Sequence, residues 1–234
     1  MTYNLSHPYL EIYTRLSAYL SALPSASAKI ALQQLAKDLD LGFVPRLQVA
    51  SLLLLGSLGK KSIEELFFCR LRELYAYSVM HIETIDLIKP YAPVIEMGAG
   101  NGYNAWLLKQ AGLDIAAFDA FPVEEGKNWF FNTSFGFPSK NGKSWTQVSK
   151  GDHDTLKSFP EHSLLLCWPP RNSMAIDCLS AFKGKHLVLI AQKSICGTPV
   201  FYKSLIEGWS LIHSQKTNSW SQSHQEELWI YKRK

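Results

Sequence analysis

Cysteine is scarce in this sequence, and the few that occur do not form a pattern that binds metal or builds a disulfide scaffold. Cys69, Cys167, Cys178 and Cys196 include no C-x-x-C pair and have no histidine-rich partner at zinc spacing. We therefore expect no metal site, and the last three fit small buried side chains in apolar surroundings.

Long apolar runs and an amino-terminal targeting signal are also lacking. The longest apolar run of the first half, residues 49–55, is far shorter than the roughly 20 residues that a membrane-spanning helix needs. The start Met1-Thr2-Tyr3-Asn4 has neither a basic region nor a continuous apolar one. These features predict a cytoplasmic protein with no membrane partner.

No charge of one sign dominates the chain. The 24 Lys and Arg residues are nearly balanced by 20 Asp and Glu, for a net charge of +4, which permits contact with nucleic acid without requiring it. With 47% hydrophobic residues, 7 Trp, 10 Tyr and 12 Phe, the 234 residues are too apolar for an intrinsically disordered protein. We expect one medium domain or a domain with an appended subdomain.

Helical periodicity dominates the chain up to Pro90. Apolar residues recur at helical spacing, and Ser62 with Glu65 forms a capping box at the start of one segment. The predicted helices cover residues 8–24, 28–39, 47–55, a segment that begins at Ser62, and 83–89. Residues 1–90 are therefore expected to form an N-terminal helical subdomain.

Short apolar runs typical of β-strands alternate with helical stretches after Pro93. The predicted strands are 94–97, 114–118, 146–149, 163–168, 186–191, 209–215 and 228–232. Residues 217–225 are polar and serine-rich, so the last two strands should pair antiparallel. The pattern predicts an α/β fold over residues 91–234, with a Rossmann-like seven-stranded sheet, mostly parallel, a C-terminal antiparallel hairpin and flanking helices.

A glycine-rich turn follows the first predicted strand of this sheet. Gly98, Gly100 and Gly102 let the backbone turn sharply and approach a ligand, while free N–H groups at the next helix face that ligand. A nicotinamide or flavin site has G-x-G-x-x-G, and Tyr103 stands where the third glycine would be. An oxidoreductase is thus the least favoured enzyme class.

The pattern Glu96-x-Gly98-x-Gly100-x-Gly102 resembles the first motif of class I S-adenosylmethionine-dependent methyltransferases. The resemblance implies S-adenosyl-L-methionine as cofactor, with Asp119 on the ribose hydroxyls, Asp152 on the adenine amino group and Phe121 on the adenine face. The cofactor-binding residues it implies are Tyr75, Glu96, Gly98, Ala99, Gly100, Asn101, Gly102, Asp119, Ala120, Phe121, Gly151, Asp152, His153 and Trp168.

The fourth predicted strand ends in Trp168-Pro169-Pro170-Arg171. Amino-methylating members of the family have Asp or Asn at the first of these positions, and an indole, which only donates hydrogen bonds, cannot accept from an amine. A group of little-characterised methyltransferase-like proteins is similar over residues 75–234 and also has W-P-P. Trp168, Pro169, Pro170 and Tyr77 are the candidate catalytic residues, and a backbone carbonyl could serve as the acceptor.

The resemblance implies transfer of a methyl group to an acceptor that the sequence does not identify. Two alternatives stay open: a catalytically degenerate module that binds the cofactor and regulates a partner, and a nucleic-acid methyltransferase. A small molecule or a protein is the favoured acceptor, selected by the N-terminal helices and by the loops at 172–174 and 194–200. A homodimer through the N-terminal helices is a further expectation.

Overall fold

The computed structural model describes residues 5–22, 68, 71–72, 74–123, 133–134, 137–138 and 144–234. The strands are β1 Ser78–Val79, β2 Val94–Met97, β3 Ile115–Asp119, β4 Thr133–Ser134, β5 Phe137–Pro138, β6 Ser149–Lys150, β7 Ser163–Cys167, β8 His186–Ala191, β9 Trp209–Lys216, β10 Asn218–Ser219 and β11 Glu227–Arg233. The α-helices are α1 Pro8–Ala22, α2 Ile82–Ile88, α3 Tyr103–Gln110, α4 Met174–Ala181 and α5 Pro199–Gly208, and two 3-10 helices span Lys89–Tyr91 and His153–Ser158.

Seven strands form one mixed sheet in the order β6-β3-β2-β7-β8-β11-β9. The first five are parallel, and β11 runs antiparallel to both β8 and β9. Helices flank the sheet, so the predicted α/β fold is confirmed, together with its closing antiparallel pair. The central strands read as continuous apolar runs because both of their faces are covered.

Alternate residues of the central strands enter two hydrophobic cores, as the two-residue period of a strand requires. Val94, Leu165 and Val188 pack on one face with residues of α1 and α3, including Tyr9 and Leu108. On the other face, the intervening residues Ile95, Leu164 and Leu189 pack with residues of α4 and α5. The structure therefore has three layers, and the sheet is the middle one.

The first helix is held against the glycine-rich turn by aromatic residues. The Tyr9 ring stacks on Tyr75 at a centroid distance of 4.8 Å, and the Tyr9 backbone N–H donates to the Tyr103 hydroxyl at 3.3 Å. His7 Nδ1 lies 3.1 Å from the same hydroxyl, and His7 Nε2 lies 2.5 Å from the Met80 carbonyl. Helix α1 thus covers the sheet next to the turn, and the helix predicted over residues 8–24 is found at Pro8–Ala22.

Several predicted elements of the N-terminal half fall outside the described residues. They are the helices at 28–39 and 47–55 and the capping box of Ser62 and Glu65. The subdomain boundary at residue 90 and the homodimer through these helices consequently stay predictions. The last predicted helix of this half is found at Ile82–Ile88 and continues as a 3-10 turn.

The bounds predicted for the third strand of the sheet are wrong. Residues 146–148 lie outside the ladder, and only Ser149–Lys150 pairs with β3. The preceding segment instead contacts the glycine-rich turn: the Trp145 N–H donates to the Asn101 carbonyl at 2.8 Å, and the side chains of Thr146 and Val148 lie against Gly102. The fourth strand also ends one residue early, because Trp168 has a positive φ of 52°.

None of the helices in the described part of the chain combines the length and the apolar character that crossing a membrane would take.

Candidate functional site

A cavity of about 610 Å³ opens at the carboxyl ends of β2, β3 and β7. This volume is within the range of roughly 300–1,000 Å³ found for small-molecule sites, and the carboxyl edge of a parallel sheet is where such folds bind ligands. The cavity is lined by Arg72, Tyr75, Ala76, Tyr77, Met97, Gly98, Ala99, Gly100, Asn101, Tyr103, Asn104, Asp119, Ala120, Phe121, Gly151, Asp152, His153, Cys167, Trp168, Pro170, Asn172, Ser173, Met174, Asp177 and Cys178.

The turn after β2 forms the floor of the cavity. Gly98, Gly100 and Gly102 have φ values of 75°, 58° and 77°, a left-handed conformation that favours glycine. The N–H groups of Gly98 and Ala99 donate to the Phe118 carbonyl at 2.9 and 3.0 Å, which ties the turn to β3. A Cβ at position 98 would lie 2.8 Å from the Met174 methyl carbon. The backbone here is therefore open to a ligand only because side chains are missing.

Gly102 supports the turn from outside the cavity. It is the N-cap of α3, and a Cβ on it would lie 2.7 Å from Val148 Cγ2. We predict that Gly102→Ala lowers the free energy of unfolding by about 2 to 3 kcal/mol, because backbone strain and overpacking add. Gly112→Ala is the matched control, since Gly112 has a φ of 84° with no atom near the added Cβ in the described structure. It should cost about 1 kcal/mol, and equal costs in urea unfolding would contradict the crowding at Gly102.

Asp119 ends β3 and places its carboxylate beside the turn. Oδ2 accepts from the Gly100 N–H at 2.9 Å, and Oδ1 accepts from the Phe121 N–H at 2.8 Å. Burial raises the pKa of this carboxyl, while the two backbone donors oppose that rise. An ionised carboxylate has about four lone-pair sites, so two remain for a ligand with paired hydroxyl groups.

Asp152 follows β6 and has a structural role at the cavity rim. Its side chain accepts from the Asp154 N–H at 2.9 Å, and the Asp152 N–H donates to Thr155 Oγ1 at 3.2 Å. This reciprocal capping box starts the 3-10 helix. Gly151 is confined between Thr155 and Phe118, so a side chain there would clash. Asp152 and His153 both line the cavity, and a contact of Asp152 with adenine stays a prediction.

Trp168 forms the wall of the cavity after β7. Its N–H donates to the Ile190 carbonyl at 2.8 Å, and its ring lies 5.3 Å from the Tyr77 ring. The indole Nε1 donates to the carboxylate of Glu226. Pro170 is exposed and lines the cavity, whereas Pro169 is buried and its carbonyl accepts from the Gly197 N–H at 2.9 Å.

Glu96 lies beneath the turn, and is only 1% exposed. One oxygen accepts from Asn104 Nδ2 at 3.2 Å, and burial raises the pKa of Glu96 to about 7. Glu96 Oε2 and Asn104 Oδ1 are buried without a hydrogen-bond partner in the described part of the chain. Asn104 also lines the cavity, so its amide connects the Glu96 carboxyl beneath the turn to the cavity wall.

The structure brings together most of the residues that the sequence predicts for the site. Among the predicted site residues, all of which the structure describes, only Glu96, Gly102 and Pro169 do not line the cavity. These three residues lie behind the lining residues and support them. The predicted loop at 172–174 lines the cavity, whereas the one at 194–200 does not.

Sequence reasoning missed several lining residues. Arg72 lies with its guanidinium carbon 5.2 Å from the Tyr77 ring centroid and 4.9 Å from that of Trp220. Asp177 and Cys178 follow Met174 by three and four positions on α4, so helical spacing from the predicted loop would have indicated them. No comparable signal marks Arg72.

The cavity has the groups that the predicted cofactor, S-adenosylmethionine, requires. Asp119 supplies a carboxylate for two ribose hydroxyls. Beside it lies the exposed backbone of the glycine-rich turn, where a Cβ at position 98 would be crowded. Phe121 presents a ring that is 74% exposed at the rim. The residues present thus fit an adenosyl group.

Solved structures of methyltransferases are similar to this chain in fold. Magnesium protoporphyrin IX methyltransferase from Synechocystis, solved with bound SAH, is 14% identical over 73% of this chain and 95% of that one, with a TM-score of 0.43. The N-methyltransferase NodS from Bradyrhizobium japonicum is 12% identical over 71% of this chain and 96% of that one, with a TM-score of 0.39. An rRNA methylase from Streptococcus thermophilus is 12% identical over 64% of this chain and 94% of that one, with a TM-score of 0.38. No family model and no curated protein matches the chain. At such identities the similarity concerns the fold alone.

Proposed function

We propose that this protein is an S-adenosylmethionine-dependent methyltransferase. The observation that carries the proposal is the convergence of the glycine-rich turn, the Asp119 carboxylate and the Trp168 wall on one cavity at the carboxyl edge of the sheet. These three features come from three different strands, and together they offer a backbone cradle, paired acceptors and an aromatic surface to one ligand.

The adenosine half of the cofactor is assigned to the β3 side of the cavity. Asp119 accepts from the ribose hydroxyls through the lone pairs that Gly100 and Phe121 leave unused. The exposed ring of Phe121 packs on the adenine face, which would bury apolar surface that the unliganded chain leaves in water. Asp152 is assigned to the adenine amino group.

Asp152→Ser separates this adenine contact from the capping role. Serine caps helices about as well as aspartate, so the free energy of unfolding should stay within roughly 0.5 kcal/mol of the wild type. The shorter side chain cannot reach the ligand, and S-adenosylhomocysteine affinity should fall about tenfold or more, the value of one hydrogen bond to a charged acceptor. Unfolding in urea and calorimetric titration measure the two effects. Unchanged affinity would remove Asp152 from the adenine site.

The methyl-donating half is assigned to the β7 side, against Trp168, Tyr77 and Tyr75. Bound S-adenosylmethionine supplies an electrophilic methyl group on a positively charged sulfur. The aromatic rings exclude water from this end and offer π faces to a cation. Little more than positioning is asked of the chain, so no strong general base is required.

The acceptor is assigned to small molecules or proteins in preference to nucleic acids. Trp168 occupies the position that holds Asp or Asn in enzymes that methylate amino groups of bases. Its indole N–H already donates to Glu226. The side chain therefore offers no acceptor for an exocyclic amine. A backbone carbonyl of this segment would have to take that role.

The same observation favours a second candidate function. A chain that binds the cofactor but lacks an acceptor side chain at position 168 could act as a regulatory module that responds to S-adenosylmethionine. In that case the cavity binds the ligand, but no methyl group is transferred.

A transfer assay separates the two functions. Purified protein is incubated with methyl-labelled S-adenosylmethionine and cell-extract fractions, one treated with nuclease and one with protease, beside the Asp119→Ala variant. We expect label in a fraction that resists nuclease, and none with the variant. Cofactor binding without transfer to any fraction would support the regulatory module instead, and acceptance lost only after nuclease treatment would identify a nucleic-acid substrate.

A further inference from the structure

Glu226 is a buried carboxylate that does not line the cavity but contacts its wall. Its side chain is 1% exposed and precedes β11. Oε2 accepts from the Trp168 indole, while Oε1 accepts from Ser78 Oγ at 2.8 Å and from Thr217 Oγ1 at 2.5 Å. The carboxylate thus joins the segment after β7 to β1 and to the β9–β10 connection.

A carboxyl group in this environment is costly for the folded protein to ionise. Its side-chain partners in the described structure are three neutral donors, and burial raises the pKa of Glu226 to about 8. Apolar residues of similar volume commonly replace buried hydrogen-bonded polar groups, together with their partners, without loss of stability. Stability alone therefore gives a poor reason for glutamate at this position.

The residue that Glu226 holds is itself in a strained conformation. Trp168 has a φ of 52°, which bulky side chains seldom adopt and which persists only when several contacts impose it. Those contacts are the backbone bond to Ile190, the indole bond to Glu226, and ring contacts at 5.3 Å with both Tyr77 and His224. Within this set, Glu226 is the group that fixes the orientation of the indole in its plane.

The position of Trp168 relative to Asp119 defines which end of the cavity it bounds. Asp119 ends β3 and Trp168 follows β7, and these strands lie on opposite sides of β2. Two strand spacings amount to roughly 10 Å. An adenosyl group at Asp119 would therefore extend across the turn with its sulfur toward Trp168.

We propose that Glu226 is a positioning residue that orients Trp168 as the aromatic wall at the sulfonium end of the cavity. This inference rests on the proposed function. Because a fixed indole offers its π face to a cation, Glu226 makes the cavity favour the charged sulfonium of S-adenosylmethionine over the neutral thioether of S-adenosylhomocysteine.

The first arm of the test observes the Trp168 indole N–H directly in proton–nitrogen correlation spectra, where the peak that Trp168→Phe removes assigns it. Glu226→Leu should shift this peak and accelerate its exchange with water about three- to tenfold, since a hydrogen bond to a buried carboxyl oxygen is lost. Glu226→Gln, which keeps one acceptor oxygen, should give a smaller shift. Glu227→Gln is the matched control, because Glu227 bonds to Ser214 instead, and it should leave the peak in place. A peak that none of these variants moves would overturn the inference.

The second arm compares calorimetric affinities for the two ligands. Glu226→Leu should lower the ratio of S-adenosylmethionine to S-adenosylhomocysteine affinity about two- to fivefold, and Glu226→Gln should restore most of it. A merely structural role would weaken the binding of both ligands alike. If the wild type binds both ligands and the affinity ratio is the same in Glu226→Leu, this inference alone would be overturned. Binding of neither ligand by the wild type would overturn the proposed function and this inference together. Glu226→Gln provides both readouts even if the leucine variant does not fold.

Discussion

Replacement of Asp119 by alanine is expected to weaken S-adenosylhomocysteine binding about 100-fold or more, since two hydrogen bonds from ribose hydroxyls to a charged acceptor are lost. The variant also releases the Gly100 and Phe121 N–H groups, which the carboxylate holds at 2.9 and 2.8 Å. Calorimetric titration of the purified variant measures the loss.

Two further variants make this result specific. Asp119→Asn keeps one acceptor oxygen and should fall between wild type and alanine. Asp86→Asn removes an equal charge from an exposed position in α2, 3.8 Å from Lys89, and should leave the affinity unchanged. Wild-type affinity in the Asp119→Ala variant would exclude Asp119 from the ligand site.

The stability of the wild type relative to Glu226→Gln is expected to fall by about 3 kcal/mol between pH 5 and pH 8. Burial raises the pKa of Glu226 from 4.5 to about 8, so in this interval the folded state retains a proton that the unfolded state has lost. Stability is then greatest below the unfolded pKa and decreases as the pH rises through the folded value. Glutamine does not titrate, and the difference from the variant isolates this group.

Urea unfolding of both proteins at pH 5, 6, 7 and 8 provides the measurement. Other buried groups also have shifted pKa values: burial raises the pKa of Glu96 to about 7, and burial lowers the pKa of His7. Both are common to the two proteins and cancel in the difference. A difference that stays constant from pH 5 to 8 would show that Glu226 is already ionised at pH 5 in the folded state.

Much of the site follows from the sequence because its residues stand at the ends of strands. The run 94–97 is apolar except for Glu96 and leads directly into the alternating glycines 98, 100 and 102, so strand and turn are locally encoded. Asp119 ends the next strand, and the carboxyl ends of parallel strands meet at one edge of the sheet. Local signals therefore suffice to bring Asp119 to the glycine-rich turn.

The wall of the cavity depends on contacts that no local signal encodes. Glu226 and Trp168 are 58 positions apart, and they lie close together because β7 and β11 both pair with β8. The left-handed backbone of Trp168 is unexpected for a bulky residue, because sterics disfavour it in isolation. The third strand is shorter than its apolar pattern predicts, since Thr146 and Val148 pack against Gly102 instead of entering the ladder.

A crystal structure of the wild-type protein grown with millimolar S-adenosylhomocysteine tests the central claim most directly. The ligand should lie in the cavity with its ribose hydroxyls on the Asp119 carboxylate, its adenine against Phe121 and its sulfur above the glycine-rich turn on the side of Trp168. An empty cavity, or a ligand whose ribose lies away from Asp119, would contradict the proposed methyltransferase site.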